Sequence, residues 1–293
     1  MSRKLVITGS TGFVGRHFLK RLNNEFEVQT LDLRKQNVSE LDFSGVDAIL
    51  HLAALVHQMR GAPPDAYFQV NTILTRDLAL AAKNAGVKHF VFMSTAHVFN
   101  DQSSLENKPI AYDENSPCLP IGPYAKSKWQ AENILRELED PSFVVSIVRP
   151  PLIYGPGAKG NLVSLAKLVK IAPCLPFLFD TNQRSLVGID NLTDFLFQVL
   201  EKKTSGTFLP QDEKPVSLRE MTEYLSAAQQ RKIVLCRPPK IFLKMLFWLR
   251  PQITGRLFGS LILNSSKTNR ELGYQPRVST KEGFSLMMNE KNL

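Results

Sequence analysis

The stretch KLVITGSTGFVG, residues 4–15, decides the fold of this chain. Its apolar run at residues 5–7 is what a fully buried parallel strand requires, and the residues RHFLKRLN that follow the stretch are typical of a helix. The glycine spacing Gly-x-x-Gly-x-x-Gly between them lets a backbone approach phosphates at a helix N-terminus. The pattern therefore predicts a dinucleotide site, with an ordinary tight turn as the alternative. The residues predicted to line the site are Gly9, Thr11, Gly12, Phe13, Val14 and Gly15.

The composition is that of a globular protein with a sizeable core. The chain has 293 residues, of which 43% are hydrophobic, enough for one large domain or two fused ones. Its three cysteines are scattered and odd in number, which favours a reducing compartment over a disulfide framework. We expect no signal peptide, no membrane span and no metal site, and therefore a cytoplasmic protein. The net charge of +9 is dispersed, so we interpret it as a solvated basic surface and predict no nucleic-acid partner.

Asp32 follows the second predicted strand, residues 27–31, where a carboxylate can bind the ribose hydroxyls of an adenosine. Such a carboxylate repels a 2′-phosphate, so Asp32 favours NAD over NADP. Arg34 lies two residues later and could instead pair with that phosphate, which leaves NADP open. Residues 36–45 are polar and short, and we expect a vestigial strand there at most.

Strands and helices alternate through the first half of the chain. The elements predicted after Asp32 are strands at 48–54, 88–94 and 143–149 and helices at 67–85 and 124–138. This alternation predicts an α/β protein with a Rossmann-type, doubly wound parallel sheet and a ligand at the carboxyl ends of the strands. Leu52, Ala53 and Ala54 fall at that edge, where small side chains would let a cofactor lie close to the backbone.

The alternation weakens in the second half. The predicted elements there are a strand at 185–189 and helices at 161–170, 191–200, 217–228 and 265–272. Because no linker separates the halves, we expect the second lobe to be interwoven with the first. The predicted division is a dinucleotide-binding domain at 1–155, rejoined by about 186–210, and a substrate-binding lobe at 156–185 and 211–293.

Tyr124 and Lys128 lie four residues apart in YAKSK and share one face of a predicted helix. A free phenol, with a pKa of about 10, is a poor acid–base catalyst at neutral pH. An ammonium about 4 Å away, at an effective dielectric near 20, stabilises the phenolate by about 4 kcal/mol, before any cost of desolvation. The pair could therefore exchange protons with a substrate hydroxyl, and Thr95 at a strand tip could hold the same oxygen. The alternative is a pair on the helix surface.

With these motifs, the chain resembles an extended short-chain dehydrogenase/reductase of the NAD-dependent epimerase/dehydratase family. The matching segments are the glycine turn, Asp32, HLAA at 51–54, Thr95, YAKSK at 124–128, VRPPLIYGPG at 148–157 and QRSLVGIDNLTDFL at 183–196. The resemblance implies that Thr95, Tyr124 and Lys128 are catalytic. It also implies that Tyr124, Lys128 and Pro151 lie near the cofactor.

Sugar-nucleotide members of that family hold the diphosphate and uridine with an asparagine and arginines of the second lobe. The resemblance implies this role for Asn161, Arg184 and Arg256, beside Thr95 at the sugar. A homodimer is common in the family and enters here by analogy.

A narrower resemblance, carried by HLAALVHQM, RPPLIYGPGAKGN and LFGSLILNSSKTNRELGYQP, is to bacterial enzymes of surface-polysaccharide assembly. It implies a UDP-sugar 4-epimerase or, as the alternative, a reductase of a UDP-4-keto-6-deoxy-N-acetylhexosamine. Dehydration is discounted, because Ala96 and His97 stand where family 4,6-dehydratases carry Asp-Glu. Two further alternatives are a small-carbonyl reductase, disfavoured by Asn161 and Arg184, and a dinucleotide-sensing regulator, disfavoured by the complete Tyr/Lys pair.

The stretch at 237–263, RPPKIFLKMLFWLRPQITGRLFGSLIL, is apolar with basic interruptions. It predicts core helices that cover the sugar site. The alternative is an interfacial helix that brings the enzyme to a membrane carrying lipid-linked sugars.

Overall fold

The computed structural model describes residues 2–22, 25–56, 62–99, 110–178, 182–237 and 259–289. Among these residues, no helix has both the length and the apolarity that a bilayer crossing requires. Residues 238–258 lie outside the description, so the choice between core helices and a membrane-surface helix for that stretch remains a prediction.

Strands and helices alternate along the described chain. The strands are β1 Arg3–Thr8, β2 Phe26–Leu31, β3 Ala48–His51, β4 His89–Met93, β5 Ala111–Tyr112, β6 Val144–Val148, β7 Leu152–Tyr154, β8 Cys174–Leu175, β9 Leu186–Gly188, β10 Gly206–Phe208, β11 Val234–Leu235 and β12 Ile262–Leu263. The α-helices are α1 Phe13–Arg21, α2 Pro64–Phe68, α3 Leu74–Asn84, α4 Gly122–Leu138, α5 Asn161–Ile171, α6 Ile189–Lys202, α7 Leu218–Ala228, α8 Ser266–Leu272 and α9 Thr280–Asn289.

Six of the strands form one parallel sheet in the order β10–β6–β4–β3–β1–β2. The chain runs from β1 to β2 on one side and then returns to place β3 on the other side of β1. The order thus reverses between β1 and β3, and in open α/β sheets a ligand binds in the crevice at the carboxyl ends of such a pair.

Helices cover both faces of this sheet. On one face the core contains Phe18 of α1 and Phe195 of α6, and on the other it contains Leu78 of α3 and Leu135 of α4, all fully buried. Buried apolar residues such as Leu5 and Ile49 fill the strands between them. Because the strands are apolar on both faces, both faces must be covered by helices. The sheet is therefore the middle one of three layers.

A second cluster of apolar residues belongs to the lobe that follows β6. It joins α5, α7 and α9 around Leu165, Leu225 and Phe284. Two pairs of short parallel strands, β11 with β8 and β7 with β9, contribute to it. A third short pair, β12 with β5, belongs to a separate apolar cluster. The buried hydroxyl of Tyr154 donates to Asp212 Oδ2 at 2.7 Å, and Asn191 Nδ2 donates to Asp212 Oδ1 at 2.7 Å. These bonds tie the lobe to α6.

The predicted fold class, a Rossmann-type parallel sheet, is confirmed. Two local expectations differ from the structure. Residues 36–45 form no strand but a short 3-10 turn at Val38–Glu40, and the helix predicted at 67–85 is interrupted by a π-helical turn at Gln69–Ile73. Within 186–210, α6 packs on the central sheet and β10 pairs with β6. The predicted division into domains stays a prediction.

Candidate active site

The glycine turn after β1 is so tightly packed that side chains would collide with backbone. Gly9 has φ of +70°, and a Cβ built on it would lie 2.6 Å from the Ala53 nitrogen. A Cβ on Gly15 would lie 2.5 Å from the carbonyl oxygen of Gly9. Gly12 closes the turn by donating its N–H to the same oxygen at 3.0 Å. The glycines therefore serve the close approach of β1, α1 and the segment after β3.

The N-terminus of α1 follows directly. No side chain caps it, and its first turn holds no acidic residue. Thr11 and Gly12 are exposed, while Phe13 and Val14 are half-buried. Exposed backbone at an uncapped helix N-terminus attracts an anion, so these residues fit the pyrophosphate of a dinucleotide.

His51, the last residue of β3, stiffens the neighbouring wall of the crevice. Its ring nitrogens are hydrogen-bonded to Thr8 Oγ1 at 2.6 Å and to Thr75 Oγ1 at 2.9 Å. Burial, and secondarily the charge of Lys128, lower the pKa of His51 to about 3. The ring is therefore neutral at physiological pH. Thr8 Oγ1 also accepts the Ala53 N–H at 3.3 Å, which fixes the half-buried segment at 52–54 beside the glycine turn.

Asp32 lies immediately after β2, at the same sheet edge, and is already paired. Arg34 donates from Nε to Oδ1 at 2.8 Å and from Nη2 to Oδ2 at 2.9 Å. This bidentate contact lowers the pKa of the Asp32 carboxyl to about 2. A ribose bound here would share the two Asp32 carboxylate oxygens with Arg34. The Arg34 side chain is itself 78% exposed.

Thr95 and Tyr124 meet at the carboxyl end of β4. Burial raises the pKa of the Tyr124 phenol to about 12, and the nearby Thr95 hydroxyl has a smaller, lowering effect on that pKa. Thr95 Oγ1 also accepts the His97 N–H at 3.2 Å. His97 itself is exposed. Tyr124 is half-buried, and its ring contacts that of Tyr67 edge to face at 6.4 Å.

Lys128 lies one turn after Tyr124 on α4 and is 1% exposed. Its Nζ stands 4.2 Å from the centre of the Phe92 ring. Burial lowers the pKa of Lys128 to about 7, against the opposing charge of Glu132. In the protein without a ligand, the Lys128 ammonium therefore does not bring the Tyr124 pKa down to neutral pH. Desolvation disfavours both charged forms, the Tyr124 phenolate and the Lys128 ammonium.

A buried carboxylate supports this helix face, and sequence reasoning missed it. Glu132 is fully buried and accepts from Ser94 Oγ at 2.5 Å and from Arg149 Nη2 at 2.6 Å. Arg136 adds a third contact at 2.8 Å. Glu132 thereby links the residue before Thr95 to the helix of Tyr124 and Lys128. Its one signal in the sequence is the four-residue spacing from Lys128.

Asn71 is a second residue that sequence reasoning missed. It lies in the π-helical turn, fully buried, and exchanges hydrogen bonds of 2.8 and 3.0 Å with the backbone of Leu55. It also donates to Ser127 Oγ at 3.0 Å. Asn71 therefore fixes the segment after β3 against α4. A π-turn inserts one residue into a helix, and the hydrophobic period does not reveal such an insertion.

The remaining predicted site residues lie along the next segments. Pro151 is buried just after β6, where the preceding proline accepts the Ala96 N–H at 2.9 Å. Asn161 is the exposed first residue of α5. Arg184 is 9% exposed and donates from Nε to the Gly259 carbonyl at 2.8 Å. Arg256 lies outside the described residues.

Comparisons with known proteins identify the family and the fold. Residues 5–208 match the model of the NAD dependent epimerase/dehydratase family. A UDP-glucose 4-epimerase of Vibrio cholerae is 33% identical over 313 aligned positions, which cover 97% of this chain and 94% of that protein.

Two further relatives are more distant. An N-acetyl-alpha-D-glucosaminyl-diphospho-ditrans,octacis-undecaprenol 4-epimerase of Escherichia coli O157:H7 is 26% identical over 80% of this chain and 74% of that protein. The crystal structure of a UDP-glucuronic acid 4-epimerase from Bacillus cereus in complex with NAD superposes with a TM-score of 0.75 at 20% identity. That superposition covers 98% of this chain and 97% of the other, and at this identity it shows a shared fold.

Proposed function

The chain belongs to the NAD dependent epimerase/dehydratase family, whose members are NAD(P)-dependent enzymes, and from this membership we propose that it is a UDP-sugar 4-epimerase. The observation that carries the proposal is the placement of the Tyr124 phenol near the Thr95 hydroxyl, with Lys128 buried one turn away, at the sheet edge that bears the glycine turn. The Vibrio cholerae relative named UDP-glucose 4-epimerase supports a UDP-hexose as substrate.

In the proposed reaction Tyr124 takes the proton from the C4 hydroxyl and later returns it to the C4 oxygen. The chemistry supplied by bound NAD is the acceptance and return of a hydride at C4. Thr95 holds the same substrate oxygen, since its hydroxyl already lies within hydrogen-bond reach of the phenol. Between the two transfers the 4-keto sugar presents its other face, which inverts C4.

Lys128 supplies the charge that a phenolate needs. Its pKa of about 7 lets Nζ hold or release a proton at neutral pH, and Glu132 one turn away favours the charged form. A charged Nζ favours the phenolate, whereas burial favours the phenol. The site therefore holds Tyr124 protonated until these contacts and the substrate act together.

We further propose that the glycine turn and the N-terminus of α1 hold the pyrophosphate of NAD, with Pro151 near its nicotinamide. Asn161, Arg184 and Arg256 are proposed to bind the uridine diphosphate. The Arg184 guanidinium is held at this end of the lobe by its hydrogen bond to the Gly259 carbonyl, which supports its assignment.

The second candidate is a reductase of a UDP-4-keto-6-deoxy-N-acetylhexosamine. The observation that favours it is the Asp32–Arg34 pair. The exposed Arg34 guanidinium balances the charge of the Asp32 carboxylate and can also donate to the 2′-phosphate of NADPH. A reductase consumes reduced cofactor in each turnover, whereas an epimerase regenerates its NAD.

The deciding experiment incubates the purified protein, without added reductant, with UDP-glucose or UDP-N-acetylglucosamine carrying deuterium at C4. We expect the C4 epimer to form with the deuterium retained, because the hydride returns to the carbon it left. Tyr124→Phe should lower turnover at least about 10²-fold, the low end for removal of a positioned acid–base group. Tyr67→Phe is the matched control, since it removes the hydroxyl from the neighbouring ring and leaves Tyr124 intact. Absence of epimerisation, with NAD(P)H-dependent consumption of a UDP-4-keto-6-deoxy sugar, would establish the reductase instead.

A further inference from the structure

Two of the three cysteines lie side by side on a short sheet of the second lobe. In the parallel pair of β8 and β11, Cys174 is in register with Val234, and Cys236 follows two residues later. Side chains two residues apart point to the same face of a strand, so both sulfurs emerge on one face. Their Sγ atoms are 3.6 Å apart, and both residues are exposed.

The backbone holds this pair in place. The Cys236 N–H donates to the Leu175 carbonyl at 3.0 Å, and the Cys236 carbonyl accepts the Leu178 N–H at 3.1 Å. The contact between the thiols is therefore set by strand pairing. To form a disulfide, the sulfurs must approach from 3.6 Å to roughly 2.05 Å.

The surroundings suit an anionic thiol reagent. The segment RKIVLCR at 231–237 contains three cations and no acidic residue, and Arg231, Lys232 and Arg237 are exposed. Cys118 is a contrasting case within the same chain. It is half-buried, and burial raises the pKa of its thiol.

We propose that Cys174 and Cys236 form a thiol–disulfide site, in which a low-molecular-weight disulfide oxidises the two thiols reversibly to an intramolecular disulfide. The bond would join β8 to β11 and turn residues 174–236 into a covalently closed loop. Arg184 and α7 lie within that loop. It would also fasten the residue that precedes the 237–263 stretch. The inference rests on the geometry of the pair and is independent of the proposed sugar substrate.

The proposed exchange has two steps. Cys174 Sγ is hydrogen-bonded to Cys236 Sγ at 3.6 Å, and Cys236 Sγ donates to the Leu175 carbonyl at 3.7 Å. In the first step the Cys236 thiol loses its proton to solvent and attacks as the thiolate. It breaks the sulfur–sulfur bond of the reagent, forms a mixed disulfide and releases one reagent thiolate. Cys174 then loses its proton to solvent and attacks the Cys236 sulfur, which releases the second reagent thiolate. In sum, two protein thiols are oxidised and one reagent disulfide is reduced to two thiols.

The test treats the folded full-length protein with oxidised glutathione, alkylates the remaining thiols and measures the intact mass. We expect the loss of two alkylatable thiols, a mass lower by two hydrogens before alkylation, and no retained glutathione. A peptide map should show residues 174 and 236 cross-linked, and dithiothreitol should restore all three thiols.

Single variants separate a pair from independent cysteines. Cys174→Ser should retain glutathione on Cys236, because no second thiol resolves the mixed disulfide. Cys118→Ser is the matched control and should behave as the parent does. If the parent instead keeps all three thiols, or accumulates the same glutathione adduct as Cys174→Ser, the proposal is overturned.

Discussion

The hydroxyl of Thr95 lies near the phenol of Tyr124, and the same Thr95 oxygen accepts the backbone N–H of His97 at 3.2 Å. Accepting that N–H leaves the O–H of Thr95 available to donate toward the Tyr124 oxygen. A donated hydrogen bond stabilises the phenolate, in agreement with its lowering effect on the Tyr124 pKa. Thr95 therefore acts on the proton-transfer group as well as on the substrate oxygen.

Replacement of Thr95 by valine removes that bond at nearly unchanged volume. Since the Thr95 hydroxyl lowers the Tyr124 pKa, Thr95→Val should raise that pKa. The acid-side limb of the kcat/KM profile, below which Tyr124 is protonated and cannot accept the C4 proton, should then move to higher pH. The measurement is the pH dependence of epimerisation. Thr95→Ser keeps the hydroxyl and should leave the profile in place. An unshifted profile for Thr95→Val would remove the Thr95–Tyr124 bond from the mechanism.

The sequence could predict this edge of the sheet because its residues follow strands. Gly9, Asp32, Ala53 and Thr95 each come directly after an apolar run, and parallel strands bring such positions to one edge. The family and the enzyme class followed from the same motifs and are confirmed.

What the sequence could not predict depends on tertiary contacts. β10 has three residues, too few for a period, and it is a strand because β6 offers it a partner. Likewise, nothing local shows that Glu132 is fully buried between Ser94 and Arg149, which are distant in sequence. The raised Tyr124 pKa could not be predicted for the same reason, because desolvation depends on the packed protein.

The Glu132–Arg149 pair is expected to be a large single determinant of stability. Both side chains are buried, and Glu132→Gln would leave the Arg149 charge without its counter-ion. Breaking a buried pair in this way costs about 3–5 kcal/mol. The matched control is Glu223→Gln, whose partner Arg219 forms an exposed pair expected to be worth less than about 1 kcal/mol.

Urea unfolding of both variants measures the two costs. A Glu132→Gln variant within about 1 kcal/mol of the parent would mean that Arg149 finds other partners. Adding Arg149→Met to Glu132→Gln should recover part of the loss, because the unpaired charge is then gone.

Acid should destabilise the protein through two buried histidines. Burial lowers the pKa of His51 to about 3 and that of His89 to about 4, below the ordinary value of about 6.5. A lowered folded-state pKa means that the unfolded chain binds protons first, so stability is lost as pH falls below about 6.5. Each histidine contributes about 1.4 kcal/mol per pH unit in that window.

The check is the free energy of unfolding at pH 6 and pH 5. His89→Gln should reduce its decline by about 1.4 kcal/mol per pH unit. An identical decline in the parent and in His89→Gln would show that His89 is protonated in the folded protein.

Cofactor choice should depend on the Asp32–Arg34 pair. If Asp32 contributes its carboxylate to the ribose hydroxyls, the parent binds NAD(H) more tightly than NADP(H), and Asp32→Ala narrows the difference. If Arg34 instead receives a 2′-phosphate, the parent prefers NADP(H), and Arg34→Ala weakens NADP(H) alone. The two residues share a bidentate contact, so each substitution also releases its partner. The double variant Asp32→Ala with Arg34→Ala is therefore needed to separate the loss of one side chain from the freeing of its partner.

The measurement is a binding titration of NAD, NADH, NADP and NADPH against the parent and the variants. Lys35→Ala, at the next exposed cation, controls for a general loss of positive charge. We expect a preference for NAD(H) in the parent, because a paired carboxylate still occupies the position where a 2′-phosphate would lie. A preference of the parent for NADP(H) that disappears in Arg34→Ala would contradict this and favour the reductase.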